Sequence, residues 1–198
     1  TEKANMLFIV QDPYTSYYDA KVVRDFVALT QKLGFSPILL PFKPNGKAMH
    51  IKGFLARFSK TAKTQAEFLN RVAKLNVPLV GVDSAIVLSY RDEYKEALGD
   101  SRGDFHVLTA HEWLTNQLES NILQSAVKNI AKSDRTFEWH LFPHCAESTF
   151  MPNSPKEWQH IFAQFGQILN VEKVGCCGMA GVFGHEVQNQ TMSKDIYD

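Results

Sequence analysis

Short apolar runs alternate with helical stripes along most of the chain. Met6–Gln11 is a run of strand length stopped by Asp12-Pro13. From Ala20, the residues Val22, Val23, Phe26, Leu29 and Leu33 recur at helical spacing, and Gly34 follows as a C-terminal cap. Pro37–Phe42 reads as a second, buried-type strand. Strand, helix and strand then make a βαβ unit with an expected right-handed crossover. A loop over 43–47 and a weakly amphipathic stretch around His50–Phe58 come next. Thr64 and Glu67 predict a capping box in front of the stripe Phe68, Leu69, Val72 and Leu75. Val77–Val82 reads as a third strand, Ala85–Leu98 as a helix ended by Gly99, and the polar Asp100–Asp104 as a surface turn.

Phe105–Leu108 reads as a short strand, and Thr109 with Glu112 predicts a second capping box, opening a helix through Trp113, Leu114, Leu118 and Ile122. The cationic stretch Val127–Arg135 is expected at the surface between two halves. Thr136–Phe142 alternates like a strand. Ser154-Pro155-Lys156-Glu157 predicts a helix start, a capping box with proline in the first turn, ahead of Trp158, Ile161, Phe162, Phe165 and Ile168 on one face. Val171–Val174 is expected to be a short strand running straight into Gly175-Cys176-Cys177-Gly178, with no helical stripe after it. Strand, loop, helix, strand and Gly loop thus occur twice, at nearly the same interval. The pattern predicts an α/β protein with two Rossmann-like, pseudo-repeated βαβ halves and mostly parallel sheets. The expected division is a Cys-free first repeat over 1–104, a connecting strand and helix over 105–135, and a second repeat over 136–198.

Composition narrows the function classes. Among 198 residues, Lys+Arg is 21 and Asp+Glu is 21, a formal net charge of zero. Nucleic-acid binding needs surplus cations to displace counterions, so it is not expected. The 44% of hydrophobic residues is that of a globular chain. No apolar run reaches the length of a transmembrane helix, and Thr1–Asn5 has no signal-peptide pattern. The expected location is cytoplasmic, with peripheral contact at the inner face of the membrane left open.

Chemistry concentrates in the last third. All three cysteines, Cys145, Cys176 and Cys177, lie there, an odd number unlike a secreted disulfide framework. Both thiol-bearing segments follow predicted strands, and loops beyond the carboxyl ends of parallel strands converge on one edge of a sheet. Three soft sulfurs suit an Fe–S cluster or Zn²⁺, and adjacent cysteines reach different irons of a cluster more naturally than one tetrahedral ion. In GCCGMAGVFG, the residues Gly175, Gly178, Gly181 and Gly184 would let backbone approach a bulky inorganic group, with His185 and Glu186 closing the loop and His144 preceding Cys145. The same glycines resemble a phosphate loop. That motif, however, follows the first strand of a βαβ unit and opens a helix, so the late position argues against a nucleotide site. A thiol-redox pair would ordinarily be spaced C-x-x-C. His50, His106, His111, His140 and His160 read as surface or packing residues.

With Cys145, Gly175-Cys176-Cys177-Gly178, Gly181 and Gly184-His185-Glu186 in view, the chain resembles the cysteine-rich, CCG-type domain family. That family occurs in heterodisulfide reductase subunits, in the iron–sulfur subunit of glycolate oxidase and in anaerobic glycerol-3-phosphate dehydrogenase. The run from His144-Cys145-Ala146-Glu147 to Glu186 is most similar to the C-terminal region of large FAD-linked, iron–sulfur 2-hydroxyacid dehydrogenases of the D-2-hydroxyglutarate and D-lactate type. The resemblance implies an Fe–S cluster held by Cys145, Cys176 and Cys177, with His144 as a further candidate ligand and Gly175, Gly178, Gly181, Gly184, His185 and Glu186 around it. It also implies FAD elsewhere in a parent chain, flavin and ferredoxin-type regions of that chain as partners, and a downstream electron acceptor.

Two departures qualify the match. In the first half, Asp12-Pro13-Tyr14, Pro44-Asn45-Gly46 and Asp83-Ser84-Ala85 stand where the family duplicates its cysteine motifs, so that half reads as a degenerate scaffold or interface. The family also carries a closing Cys motif after the pair, whereas 178–198 contains no cysteine. The expectation is an excised fragment, inactive alone, whose site is empty, oxidised or filled by Zn²⁺. The alternative is a zinc-stabilised interaction domain using the same cysteines with His144 or His185. Tyr14, Tyr17 and Tyr18 are candidates for docking the flavin region.

Overall fold

The computed structural model describes residues 4–130 and 136–198. Its first strand, β1 (Met6–Val10), is buried on both faces. Leu7 and Ile9 point into one apolar layer with Val23, Phe26, Leu33 and Trp113. Phe8 and Val10 point into another with Phe58, Leu69, Tyr90 and Tyr94. That alternation on a fully apolar run is what a central parallel strand requires. A π-helical turn over Tyr14–Tyr18 leads to α1 (Ala20–Lys32), which buries Val23 and Phe26 and leaves Val22 and Leu29 more exposed.

The second strand, β2 (Ser36–Leu39), pairs parallel with β1 but lies at the edge of its sheet. Ile38 and Leu39 are 39% and 47% exposed, so this is not the buried strand its apolar run predicts. An apolar run says nothing about which neighbour is missing. Two helices follow, α2 (Lys47–Ile51) and α3 (Leu55–Ala73). The capping box expected at Thr64 and Glu67 does not form. Thr64 lies inside α3 and its hydroxyl donates back to the Lys60 carbonyl at 3.3 Å. The buried series Phe58, Ala62, Ala66 and Leu69 runs straight through that position, and burial of a continuous stripe outweighs a local start signal.

Next come β3 (Leu79–Gly81), α4 (Ser84–Arg91) and α5 (Glu93–Leu98), two short helices broken at Asp92 where one was expected. β4 (Val107–Thr109) completes a four-stranded parallel sheet of order β2-β1-β3-β4. The capping box of Thr109 and Glu112 is present at the start of α6 (Ala110–Gln117). α7 (Asn121–Ile130) occupies the first part of the expected cationic connector, and the rest of that connector, 131–135, lies outside the described residues. Leu123 on α7 is fully buried and Val127 packs against the same core as Trp113, so this part is built into the fold.

A second, two-stranded parallel sheet joins β5 (Glu138–Leu141) to β6 (Ile168–Val171). Between them lie α8 (Cys145–Phe150) and α9 (Ser154–Gln164). The Ser154 capping box does not form either. Ser154 donates its hydroxyl to Glu147, and Asn153 takes the N-cap position without a side-chain bond. β6 begins three residues before the expected strand because α9 ends at Gln164 and the turn at Gly166 extends the chain by Ile168. After the glycine loop the chain ends in α10 (Gln190–Tyr197), where no helix was expected. The fold is therefore α/β with parallel sheets, as the pattern predicts. Among the described residues no helix is long and apolar enough to cross a membrane.

Candidate functional site

The parallel pairing of β5 and β6 sends both chains out of the same sheet edge. Beyond β5 come Phe142, Pro143 and His144, and α8 opens with Cys145. Beyond β6, residues 172–175 lead to Cys176 and Cys177. The two segments line one cavity of about 470 Å³, which holds His144, Cys145, Gly175, Cys176 and Cys177 with Tyr197 of α10 at its side. All three thiols are free and solvent-exposed. Burial pushes the Cys145 thiol up, and nearby Cys176 and Cys177 push it further, because ionising one sulfur makes ionising the next harder. A bound cation reverses that logic and holds thiolates together. The Gly178 N–H donates to Cys176 Sγ at 3.4 Å, and His144 Nδ1 accepts from the Ala146 N–H at 3.2 Å as the N-cap of α8.

The donor set has the soft chemistry of Fe–S ligation, spread around a space able to take a multi-atom group. Among the described residues, no three His, Cys, Asp or Glu side chains are grouped closely enough to hold one metal ion.

The glycine loop divides in two. Gly175 borders the cavity, and a Cβ there would meet nothing within 4 Å. The rest packs against the body of the protein. Gly178 has φ +72°, and a Cβ would sit 2.1 Å from the Ser193 carbonyl oxygen of α10. Gly181, φ +68°, would place one 2.3 Å from Ile51 of α2. Only glycine fits such approaches at positive φ. At Gly184, without a positive φ, a Cβ would sit 2.6 Å from Ser193 Oγ and 2.8 Å from Met179 Cε. The His185 ring stacks on Tyr18 at 6.4 Å, while Glu186 pairs with Lys52 and accepts from Gln188. Gly175 and Gly178 are thus brought to the cysteines. Gly181, Gly184, His185 and Glu186 lie outside the cavity lining, anchoring the loop to α10 and to the first half.

The turn after β1 meets this loop, with Tyr14 beside Gly181 and Tyr18 against His185. Asp12 is buried and holds the π-helical turn, its Oδ1 accepting from the N–H groups of Tyr14 at 2.8 Å and Thr15 at 2.9 Å. Asp83 caps α4 by accepting from the Ile86 N–H at 2.8 Å. Burial raises the Asp83 carboxyl above its ordinary range, the Ile86 N–H opposes this, Asp12 raises it further and His144 lowers it. Through His144 and Asp83 the Cys-free part of the chain feels the cysteine-bearing one.

His111, which sequence alone assigns to packing, is 1% exposed and sits in a polar network. Its Nδ1 lies 3.0 Å from Thr109 Oγ1 and 3.7 Å from Glu147 Oε1, and its Nε2 lies 3.3 Å from Glu157 Oε2. Glu147 also accepts from Ser154 and from Trp158 Nε1, the latter at 3.2 Å. No spacing rule joins residues 111, 147 and 157. In the sequence Glu157 reads as half of a capping box with Ser154 and Glu147 lies in a loop, so neither signals the network.

No family pattern matches the chain, and no solved structure does. Curated relatives match over its whole length. The chain is 81% identical to a D-2-hydroxyglutarate dehydrogenase of Haemophilus influenzae, 56% to one of Escherichia coli and 36% to one of Pseudomonas putida. All of this chain is covered in each case, but only 18–19% of the relative. The chain therefore spans about a fifth of the length of the 2-hydroxyacid dehydrogenases it resembles.

Proposed function

We propose that this chain is the cysteine-bearing electron-transfer region of a D-2-hydroxyglutarate dehydrogenase, and that Cys145, Cys176 and Cys177 hold an Fe–S cluster there. Similarity over the whole of this chain, about a fifth of each relative, to dehydrogenases so named supports the enzyme class. The observation that carries the site is the single cavity on which all three thiols open. When bound, such a cluster would supply one-electron transfer between a flavin and an acceptor, the hydride chemistry belonging to the flavin. The residues of this chain hold and tune it. Cys145 is delivered by the start of α8, and Cys176 and Cys177 by the turn after β6. The Gly178 N–H stabilises negative charge on the Cys176 sulfur. Three thiols leave a further ligand to be supplied from outside this set.

The Cys-free half is a repeat of the same plan, turned to scaffolding. Its β1–α1–β2 unit is a parallel pair bridged by a helix, as is β5–α9–β6. In this reading 1–104 and 136–198 are the two copies and 105–135 joins them, with flavin and ferredoxin-type regions of the parent chain as partners.

The test is anaerobic iron–sulfide reconstitution of the complete dehydrogenase and of its Cys145→Ser, Cys176→Ser and Cys177→Ser variants. Each variant is expected to keep substrate-driven flavin reduction while losing iron and transfer to an external acceptor. Full iron content and transfer in Cys145→Ser would falsify the assignment. A colourless protein with stoichiometric zinc would instead favour the interaction-domain alternative.

A further inference from the structure

We propose that Glu147, clamped by His111 of α6, is the positioning residue that holds Cys145 opposite Cys176. The inference rests on the reading of the three cysteines as one site. It starts from α8 itself, a helix of six residues that begins at Cys145. A helix so short does not hold its own geometry, so tertiary contacts must set its direction. The usual anchor is an apolar side chain turned into the core. Here the buried residue of α8 is Glu147, and its other residues are half-buried or exposed.

Burying a carboxylate is costly unless every lone pair finds a donor or a cation. Glu147 gathers its partners on one carboxylate oxygen, Oε1, from two other helices. From α9, Ser154 donates its hydroxyl and Trp158 its indole N–H at 3.2 Å. From α6, His111 presents Nδ1 at 3.7 Å, itself fixed by Thr109 and Glu157. The directional set over-determines where the first turn of α8 lies. Cys145 is two residues away on that same turn. Cys176 and Cys177 arrive separately, on a loop seated against α10. Whether the sulfurs share one cavity therefore depends on Glu147, and through His111 on α6.

The test needs no metal. In the reduced 198-residue chain with Cys177→Ser, dibromobimane, a short reagent that alkylates two thiols, bridges Cys145 to Cys176. Single alkylation of Cys176 by iodoacetamide is the control. In Glu147→Ala the yield of bridged product is expected to fall about fivefold, the population change for loss of one net hydrogen bond. The control rate should not change. Glu147→Gln, whose side-chain oxygen still accepts from Ser154 and Trp158, should restore bridging to within about twofold. His111→Ala and Trp158→Phe, each removing one partner, should give intermediate yields and serve if Glu147→Ala does not fold. Unchanged bridging in Glu147→Ala, or in both partner variants, overturns the proposal. Equal loss of bridging and of the control rate in every variant, Glu147→Gln included, also overturns it, because that is general unfolding. A parent chain that does not bridge at all is a different result. It says the two cysteines do not share a site, and the functional reading fails with it.

Discussion

Arg91 and Glu112 show how one exchange of charge organises its surroundings. The guanidinium donates to both carboxylate oxygens, at 3.0 and 2.5 Å, and to the Val107 carbonyl at 2.8 Å, so α4, β4 and α6 are tied by a single side chain. Burial on its own would raise the Glu112 carboxyl, but the bonds from Arg91 and from the Thr109 N–H overcome this and hold it below the usual carboxylate range. A depressed carboxylate contributes stability that is complete above its unfolded range and drains away as pH falls through the lower, folded value. Glu112→Gln should therefore cost about 1–2 kcal/mol at neutral pH, after allowance for partial exposure, and progressively less in acid. Urea midpoints measured on both proteins across that range check the sign, since a gap that stayed constant into strong acid would exclude the ion pair as its cause. Glu112 was legible as a capping residue and Arg91 only as a position within one expected helix over Ala85–Leu98. Their pairing was not, because twenty-one positions separate them and local pattern carries no distance information.

At the scale of elements, two identical-looking signals behave differently. Thr109 and Glu112 form a reciprocal cap, whereas Thr64 and Glu67 sit within a continuous 19-residue helix. Thr109→Ala should cost about 1–2 kcal/mol and Thr64→Ala less than about 0.5 kcal/mol. Equal losses in chemical denaturation would mean that α3 has a boundary at residue 64 after all. The contrast explains what could be read in advance. β1, α1, β3 and α6 have patterns that burial reinforces, and they lie where periodicity puts them, whereas β5 follows its alternation although its residues are mostly exposed. β2 was recognised as a strand, but not as an edge, since that property belongs to a missing neighbour. α10 had no stripe to find because Met192 and Ile196 face solvent and its one buried residue is Ser193. The cysteines were legible as a group from chemistry and strand-end position. Glu147 and His111 were not, because a buried carboxylate and its partners are defined only by the packed helices around them.

At the scale of the whole molecule, the glycine loop touches everything. It leaves β6, passes the cysteines, rests on α2 at Gly181, meets the π-helical turn through His185 and returns to α10 at Gly178. Gly178→Ala places a methyl group against the Ser193 carbonyl at a left-handed backbone position, for an expected cost of about 2–4 kcal/mol. Amide exchange should quicken in α10 and at Cys176 together. Exchange confined to one of them would show that helix and loop do not lean on each other. The same contact bears on the order in which a cell can build the protein. A growing chain emerges from the ribosome N-terminus first, and early regions fold while later ones are still being made. The first sheet can close long before translation reaches residue 190, but the thiol-bearing turn has no floor until Ser193 has been added and α10 has wound up beneath it. Biogenesis is thereby ordered: the turn that carries Cys176 and Cys177 gains its support only after α10 has been synthesised.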